Sequence, residues 1–190
     1  MKKAKENDYP KINEILTKAF KENKSVNYIL KKKHDSSLIS KLISYSMFKA
    51  KNSGEIWLND TETACVLCIN PKKEITTLKS LKEEFYLVWN VIGIKNILKV
   101  LKKEKITKKH LPHDINFIHL WYIGVTTDSQ GKGEGNKILS NVIEYYKGKK
   151  DAICLETSTL KNIPFYENLG FKIYHTESFG FDFHFLIREL

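Results

Sequence analysis

An apolar run, HLWYIGV at residues 119–125, leads into the polar segment TTDSQGKGEG, and Ile138, Leu139, Val142, Ile143 and Tyr146 then recur at helical spacing. A strand that passes through a glycine-rich loop into a helix narrows the choice of fold at once. The next strand is expected at Ala152–Thr157. If it lies in the same sheet, the crossover is right-handed and the two strands run parallel. Three of the chain's nine glycines fall at Gly131, Gly133 and Gly135, more than a plain turn requires. Their missing side chains leave the first-turn N–H groups unblocked at the positive end of the helix dipole. Such a loop is an anion cradle, suited to a phosphate. The spacing excludes two common versions of it. A dinucleotide fingerprint needs glycine at position 136, where Asn136 stands, and a Walker loop needs four residues between its glycines followed by Lys-Ser/Thr. Glu156 follows at the distance of a ribose-binding acid, but without the third glycine that match does not count.

The remaining pattern reads as alternating helices and strands. Asp8 is expected to cap a first helix carrying Pro10 in its first turn and Ile12, Ile15, Leu16, Ala19 and Phe20 on one face. No clear strand precedes it. A second helix is expected from Asp35–Ser37, with Leu38, Leu42, Ile43, Met47 and Phe48 inward and Gly54 at its end. Two short strands, Glu55–Asn59 and Thr63–Asn70, follow across a turn at Asn59-Asp60. Residues 76–105 read as helix, with Leu78, Leu81, Phe85, Val88, Trp89 and Ile92 on one face, an interruption at Gly93, and Ile94, Ile97, Leu98 and Leu101 resuming. Near the C-terminus a short helix over 163–169, closed by Gly170, precedes strands at Phe171–Thr176 and Phe183–Arg188. The whole reads as one mixed α/β domain, residues 1–190, with a parallel pair in its sheet and a helical insertion at 74–113.

Composition removes several functional classes. With 190 residues and 42% hydrophobic content, the chain can bury a core and is not disordered. Its longest apolar stretch, residues 85–94, contains Asn90 and Gly93, so no membrane span is expected. The charged N-terminus has no apolar stretch behind it, so no signal peptide is expected and the location is read as cytoplasmic. The net charge is +10, and Arg188 is the one arginine among 32 basic residues. A dedicated nucleic-acid reader favours arginine forks, so no specific nucleic acid is expected as partner. The basic surface reads either as a solvated lysine-rich face or as an attractor for an anionic ligand. Cys65 and Cys68 spell C-x-x-C, but on a strand residues three apart face opposite ways. No second pair completes a zinc site, and no metal is expected. All three cysteines are read as reduced, mostly buried thiols.

The segment Gln130-Gly131-Lys132-Gly133-Glu134-Gly135 resembles the coenzyme A loop, Q/R-x-x-G-x-G/A, of the GCN5-related N-acetyltransferases. Leu155–Ser158 and Asn162–Phe171 are similar to that family's second conserved block, and the closing strand with Arg188 fits as well. The resemblance is specific from His119 to Leu190, and within the family it is nearest to the puromycin acetyltransferase branch. It implies the GNAT fold, acetyl-CoA as donor, an amine acceptor and direct transfer in a ternary complex. It further implies that the strand ending at Val125 splays from Ala152–Thr157, freeing the backbone of Ile123 and Val125 to pair with the pantetheine arm. The N–H groups from Gln130 through Lys132 and Glu134 to Asn136 would hold the pyrophosphate. Asn162 would contact the coenzyme, or simply cap the short helix. Tyr166 is the candidate general acid for the departing thiolate, against a packed tyrosine. Glu156 would orient the ammonium or take its proton, against a structural ion pair. His119 is the alternative base, against a hydrogen-bonded core histidine. Trp121 and Tyr122 either line the acceptor pocket or belong to the core. A small-molecule amine is the expected acceptor. The alternatives are a protein N-terminus or lysine, or a non-catalytic coenzyme A-binding module. Specificity is expected from the insertion and from Val26–His34 and Glu177–Asp182. Monomer and homodimer both remain open.

Overall fold

β3, Ala64–Ile69 (ACVLCI), is buried at every position, which happens only when both faces of a sheet are covered. The computed structural model describes residues 1–190 and shows what covers them. Seven strands form one sheet in the order β1-β2-β3-β4-β5-β7-β6. They are β1 (Lys2–Lys3), β2 (Gly54–Leu58), β3, β4 (Phe117–Val125), β5 (Ala152–Thr157), β6 (Lys172–Ser178) and β7 (Asp182–Glu189). Only β4 and β5 pair in parallel; the other pairings are antiparallel.

One layer of helices comprises α1 (Tyr9–Ala19) and α3 (Ser36–Ser53), whose Ile12, Ile15, Leu16, Leu42 and Ile43 pack on Cys65, Leu67 and Tyr122. The other face is covered by α6 (Glu134–Tyr146) and α7 (Ile163–Asn168), with Ile138, Leu139, Val142 and Tyr166 against Val66, Cys68, Ile118 and Leu155. Each fully buried Ile or Leu contributes about 1.5–3 kcal/mol relative to exposure. Cys65 and Cys68 thus lie in opposite layers, and all three cysteines are free and buried. Burial pushes their thiols up, that of Cys154 to about 12, so they are poor nucleophiles.

Four expectations need correction. A first strand does exist: Lys2 and Lys3 pair with Leu58 and Trp57. Its side chains carry no apolar alternation, so nothing in the local pattern marks it. Asp8 does not cap α1 through its side chain; its carboxylate turns back to accept from the Lys5 N–H at 2.8 Å. An extra helix, α2 (Lys24–Ile29), follows α1, its N-cap Asn23 accepting from the Val26 N–H at 2.9 Å. The helix expected over 76–105 divides into α4 (Leu78–Leu87), a π-turn at Val88–Ile92, a 3-10 turn after Gly93, and α5 (Ile97–His110). Most of its apolar stripe faces solvent, although Val88 and Ile92 turn to the core. Leu78, Phe85, Trp89, Ile94 and Leu98 are exposed, and the segment packs inward through Ser80, Leu87, Val91 and Ile92.

Two details of β4 open the molecule. Leu67 pairs with Tyr122 and Cys68 with Leu120, so Trp121 is the extra residue of a β-bulge. On its other edge β4 meets β5 only at Phe117↔Ala152, Ile118↔Ile153 and His119↔Cys154. Beyond that register the two strands no longer pair, and a gap separates Leu120–Val125 from Leu155–Thr157.

Candidate active site

The glycine loop bridges the end of β4 and the start of α6. Gly131 and Gly133 adopt φ of +75° and +81°, and a Cβ on either would meet nothing within 4 Å. Glycine is favoured there by the left-handed backbone, and the space above it is open. The first intrahelical donor is Lys137, whose N–H bonds the Gly133 carbonyl at 2.9 Å. The N–H groups of Gly131, Gly133, Glu134, Gly135 and Asn136 have no acceptor within the chain. Five unpaired amides around one helix start fit a diphosphate. The Glu134 carboxylate, which would repel such a ligand, is drawn aside: Asn59 Nδ2 donates to its Oε2 at 2.6 Å. Asn59 is itself buried, accepting from the N–H groups of Thr63 and Ala64 at 2.8 and 2.9 Å. This anchor was not read from the sequence, where Asn59 signalled only a turn.

A cleft of about 580 Å³ joins the loop to the gap between β4 and β5. Ile123, Val125, Gln130, Gly131, Gly133, Glu134, Gly135, Asn136, Glu156, Asn162 and Tyr166 all line it. Lys132 and His119 do not. Gln130 Nε2 also donates to the Val125 carbonyl at 3.4 Å, spanning the loop's two ends. Asn162 occupies the N-cap position of α7 without a side-chain cap bond, so its amide is free toward the cleft. Trp121 lines the cleft, whereas Tyr122 packs in the core edge-on to Phe20 at 4.9 Å.

Tyr166 is 4% exposed and lines the cleft wall. Burial pushes its phenol well above the ordinary range, so the hydroxyl carries its proton at neutral pH and offers the cleft an O–H donor. Glu156 lies two residues beyond the β4–β5 pairing, on the same face of the sheet as His119. Its Oε2 is 2.9 Å from His119 Nε2, and the two side chains are only 8% and 12% exposed. Its Oε1 is buried with no partner. Burial alone would lower the His119 imidazole, but the charge and hydrogen bond of Glu156 outweigh it, and the net effect is upward. From the other side, α5 brings Lys103, whose Nζ sits 4.7 Å from the Phe183 ring centroid. Burial lowers that ammonium, and the attraction of Glu156 opposes the shift. Glu156 therefore holds one oxygen against an imidazole and keeps the other for a further donor.

Two further polar ties set the cleft's far wall. Ser158, just past β5, accepts from the Ser25 N–H at 3.2 Å and contacts Asn23 Oδ1 at 3.5 Å, fixing α2 against the end of β5. The Arg188 guanidinium donates to the Leu169 carbonyl at the C-terminus of α7, and a Cβ on Gly170 would lie 3.1 Å from its Nη1. The lone arginine thus seats the short helix that carries Tyr166.

Residues 83–173 match the family model described as an acetyltransferase (GNAT) domain. Among solved structures, the chain is similar to the histone acetyltransferase HPA2 and related acetyltransferase of Corynebacterium glutamicum, at 16% identity over 98% of this chain and 93% of that one, TM-score 0.70. It is also similar to arylalkylamine N-acetyltransferase 2 of Aedes aegypti, at 12% identity over 99% and 97%, TM-score 0.66. A third similar structure is the NatC complex bound to Gag peptide and CoA, at 14% identity over 100% and 96%, TM-score 0.55. The mixed seven-stranded sheet with its parallel β4/β5 pair is the GNAT fold.

Proposed function

We propose that this chain is an acetyl-CoA-dependent N-acetyltransferase of the GNAT family, nearest its puromycin acetyltransferase branch, with residues 1–190 as one catalytic domain in the cytoplasm. The observation that carries the reading is the row of five unpaired amides opening into the gap between β4 and β5. The match to the acetyltransferase domain and the likeness to a CoA-bound complex support it.

The residues fit the co-substrate. The unpaired amides of Gly131 and Gly133–Asn136 would hold its diphosphate, and the free edge of β4 at Ile123 and Val125 would pair with its extended arm. Acetyl-CoA supplies an activated acyl thioester whose sulfur leaves with the bonding electron pair. Glu156 Oε1 accepts a hydrogen bond from the acceptor ammonium and takes its proton, directly or through water. The amine nitrogen, now carrying a lone pair, is oriented toward the gap. Tyr166 gives its proton to the departing sulfur and regains one from the nitrogen as the amide forms. His119, held by Glu156, orients and polarises that carboxylate rather than acting as the base. A small-molecule amine is favoured as acceptor because α5 covers the Glu156 face, with Lys103 over Phe183.

Acetyl-CoA is expected to raise the melting temperature in a concentration-dependent manner. Gly133→Glu, which forces a bulky anion into the cradle, is expected to lose that shift. No shift at millimolar acetyl-CoA rejects the reading.

A further inference from the structure

Away from the cleft, three metal-ligating side chains converge where α5 ends against β6. His110 is the last residue of α5, and His175 and Glu177 stand on β6. One ligand atom from each lies within 4.8 Å of the other two. The imidazoles of His110 and His175 stack with centroids 3.7 Å apart and planes 11° apart. His175 Nε2 is buried and has no hydrogen-bond partner. Glu177 Oε2 is the near group, at 3.9 Å, which is beyond hydrogen-bond range. The other oxygen of that carboxylate is engaged, Oε1 accepting from the Ser178 N–H at 3.0 Å. The carboxylate is thereby set with Oε2 toward His175. The helix end is also fixed, since the Tyr174 hydroxyl donates to the His110 carbonyl at 2.9 Å.

A buried polar atom without a partner calls for an ion or a water. A zinc-like ion stands about 2.0–2.2 Å from imidazole nitrogen and carboxylate oxygen, so two ligands on one ion lie roughly 3–4 Å apart. The gap between His175 Nε2 and Glu177 Oε2 falls in that range. We propose that His110, His175 and Glu177 form a binding site for a borderline divalent cation of the zinc class, completed by water. Two imidazoles and one carboxylate suit zinc and its neighbours, whereas magnesium and calcium prefer all-oxygen shells. Both lone pairs must point at one centre, so binding opens the parallel stack into a splayed pair. The ion then ties α5 to β6 beside the Tyr174 bond, next to Phe185, on which both rings pack at 5.6 and 5.4 Å.

The test uses the full chain, stripped with a chelator and exchanged into metal-free buffer. Zn²⁺ titration by calorimetry is expected to show one saturable site per chain, and the melting temperature is expected to rise with free Zn²⁺. His175→Ala and His110→Gln are each expected to weaken binding by about 10–100-fold or more, while Cys65→Ser and millimolar Mg²⁺ leave it unchanged. Should either histidine variant fail to fold, imidazole NMR of the wild type decides: Zn²⁺ is expected to shift two of the six histidines. Absence of saturable binding, a folded His175→Ala protein that binds zinc as tightly as wild type, or shifts at other histidines overturns the proposal.

Discussion

At the scale of single residues, the site divides its labour by burial. Tyr166 keeps its proton because its phenol is removed from water and meets no cation that would favour the phenolate. If it is the acid for the leaving sulfur, Tyr166→Phe leaves the acetyl-CoA-induced stabilisation intact and lowers kcat by about 10²-fold or more, the usual worth of a positioned acid. Steady-state rates with the acceptor amine check this, and an unchanged kcat removes the phenol from the mechanism. The His119–Glu156 pair has a different signature. The folded imidazole titrates above its ordinary value, so it binds its proton more tightly folded than unfolded. The stabilisation it supplies is full below about pH 6.5, the unfolded value, and is lost as pH rises through the raised folded value. The stability gap between wild type and His119→Gln, measured by urea unfolding, is therefore expected to narrow from acid to mildly alkaline pH. A gap that widens over that interval contradicts the assignment.

At the scale of elements, what could be read in advance was whatever local pattern encodes. The β4–loop–α6 unit has an apolar run, three spaced glycines and a clean helical stripe, and all three appear where expected. The candidate residues of the cleft mostly lie in that unit and in the β5–α7 segment, so they too were legible. What escaped depends on long-range pairing. Lys2–Lys3 becomes a strand only because Trp57 and Leu58 offer an edge. The His119–Glu156 contact follows from a parallel register, His119↔Cys154, that no spacing rule supplies. The outward turn of the α4 stripe escaped because the side that packs carries Ser80, Glu83 and Glu84 beside Leu87, whereas periodicity assigns the apolar side to the core. Asn59 is a similar case, since its role rests on contact with Glu134, 75 positions away. Asn59→Ala removes a charge-assisted bond and the N–H acceptors of the β2–β3 turn, so it is expected to cost about 2 kcal/mol or more. It is also expected to weaken the acetyl-CoA shift by freeing the Glu134 carboxylate near the cradle. Paired melting curves with and without acetyl-CoA separate the two effects, and a shift equal to wild type shows that Asn59 serves the turn alone.

At the scale of the whole molecule, the chain carries a net charge of +10 yet leaves Leu78, Phe85, Trp89, Ile94 and Leu98 more than half exposed, from 61% to 81%. Long-range repulsion and short-range stickiness therefore oppose each other in solution. Added salt shortens the first, with a screening length of about 10 Å at 0.1 M and 3 Å at 1 M, while leaving the second intact. Light scattering is thus expected to rise with sodium chloride, and Phe85→Glu with Leu98→Glu to suppress the rise; scattering that falls with salt contradicts this. The practical consequence is colloidal: the protein is expected to keep best in dilute buffer, with rising ionic strength moving it toward self-association.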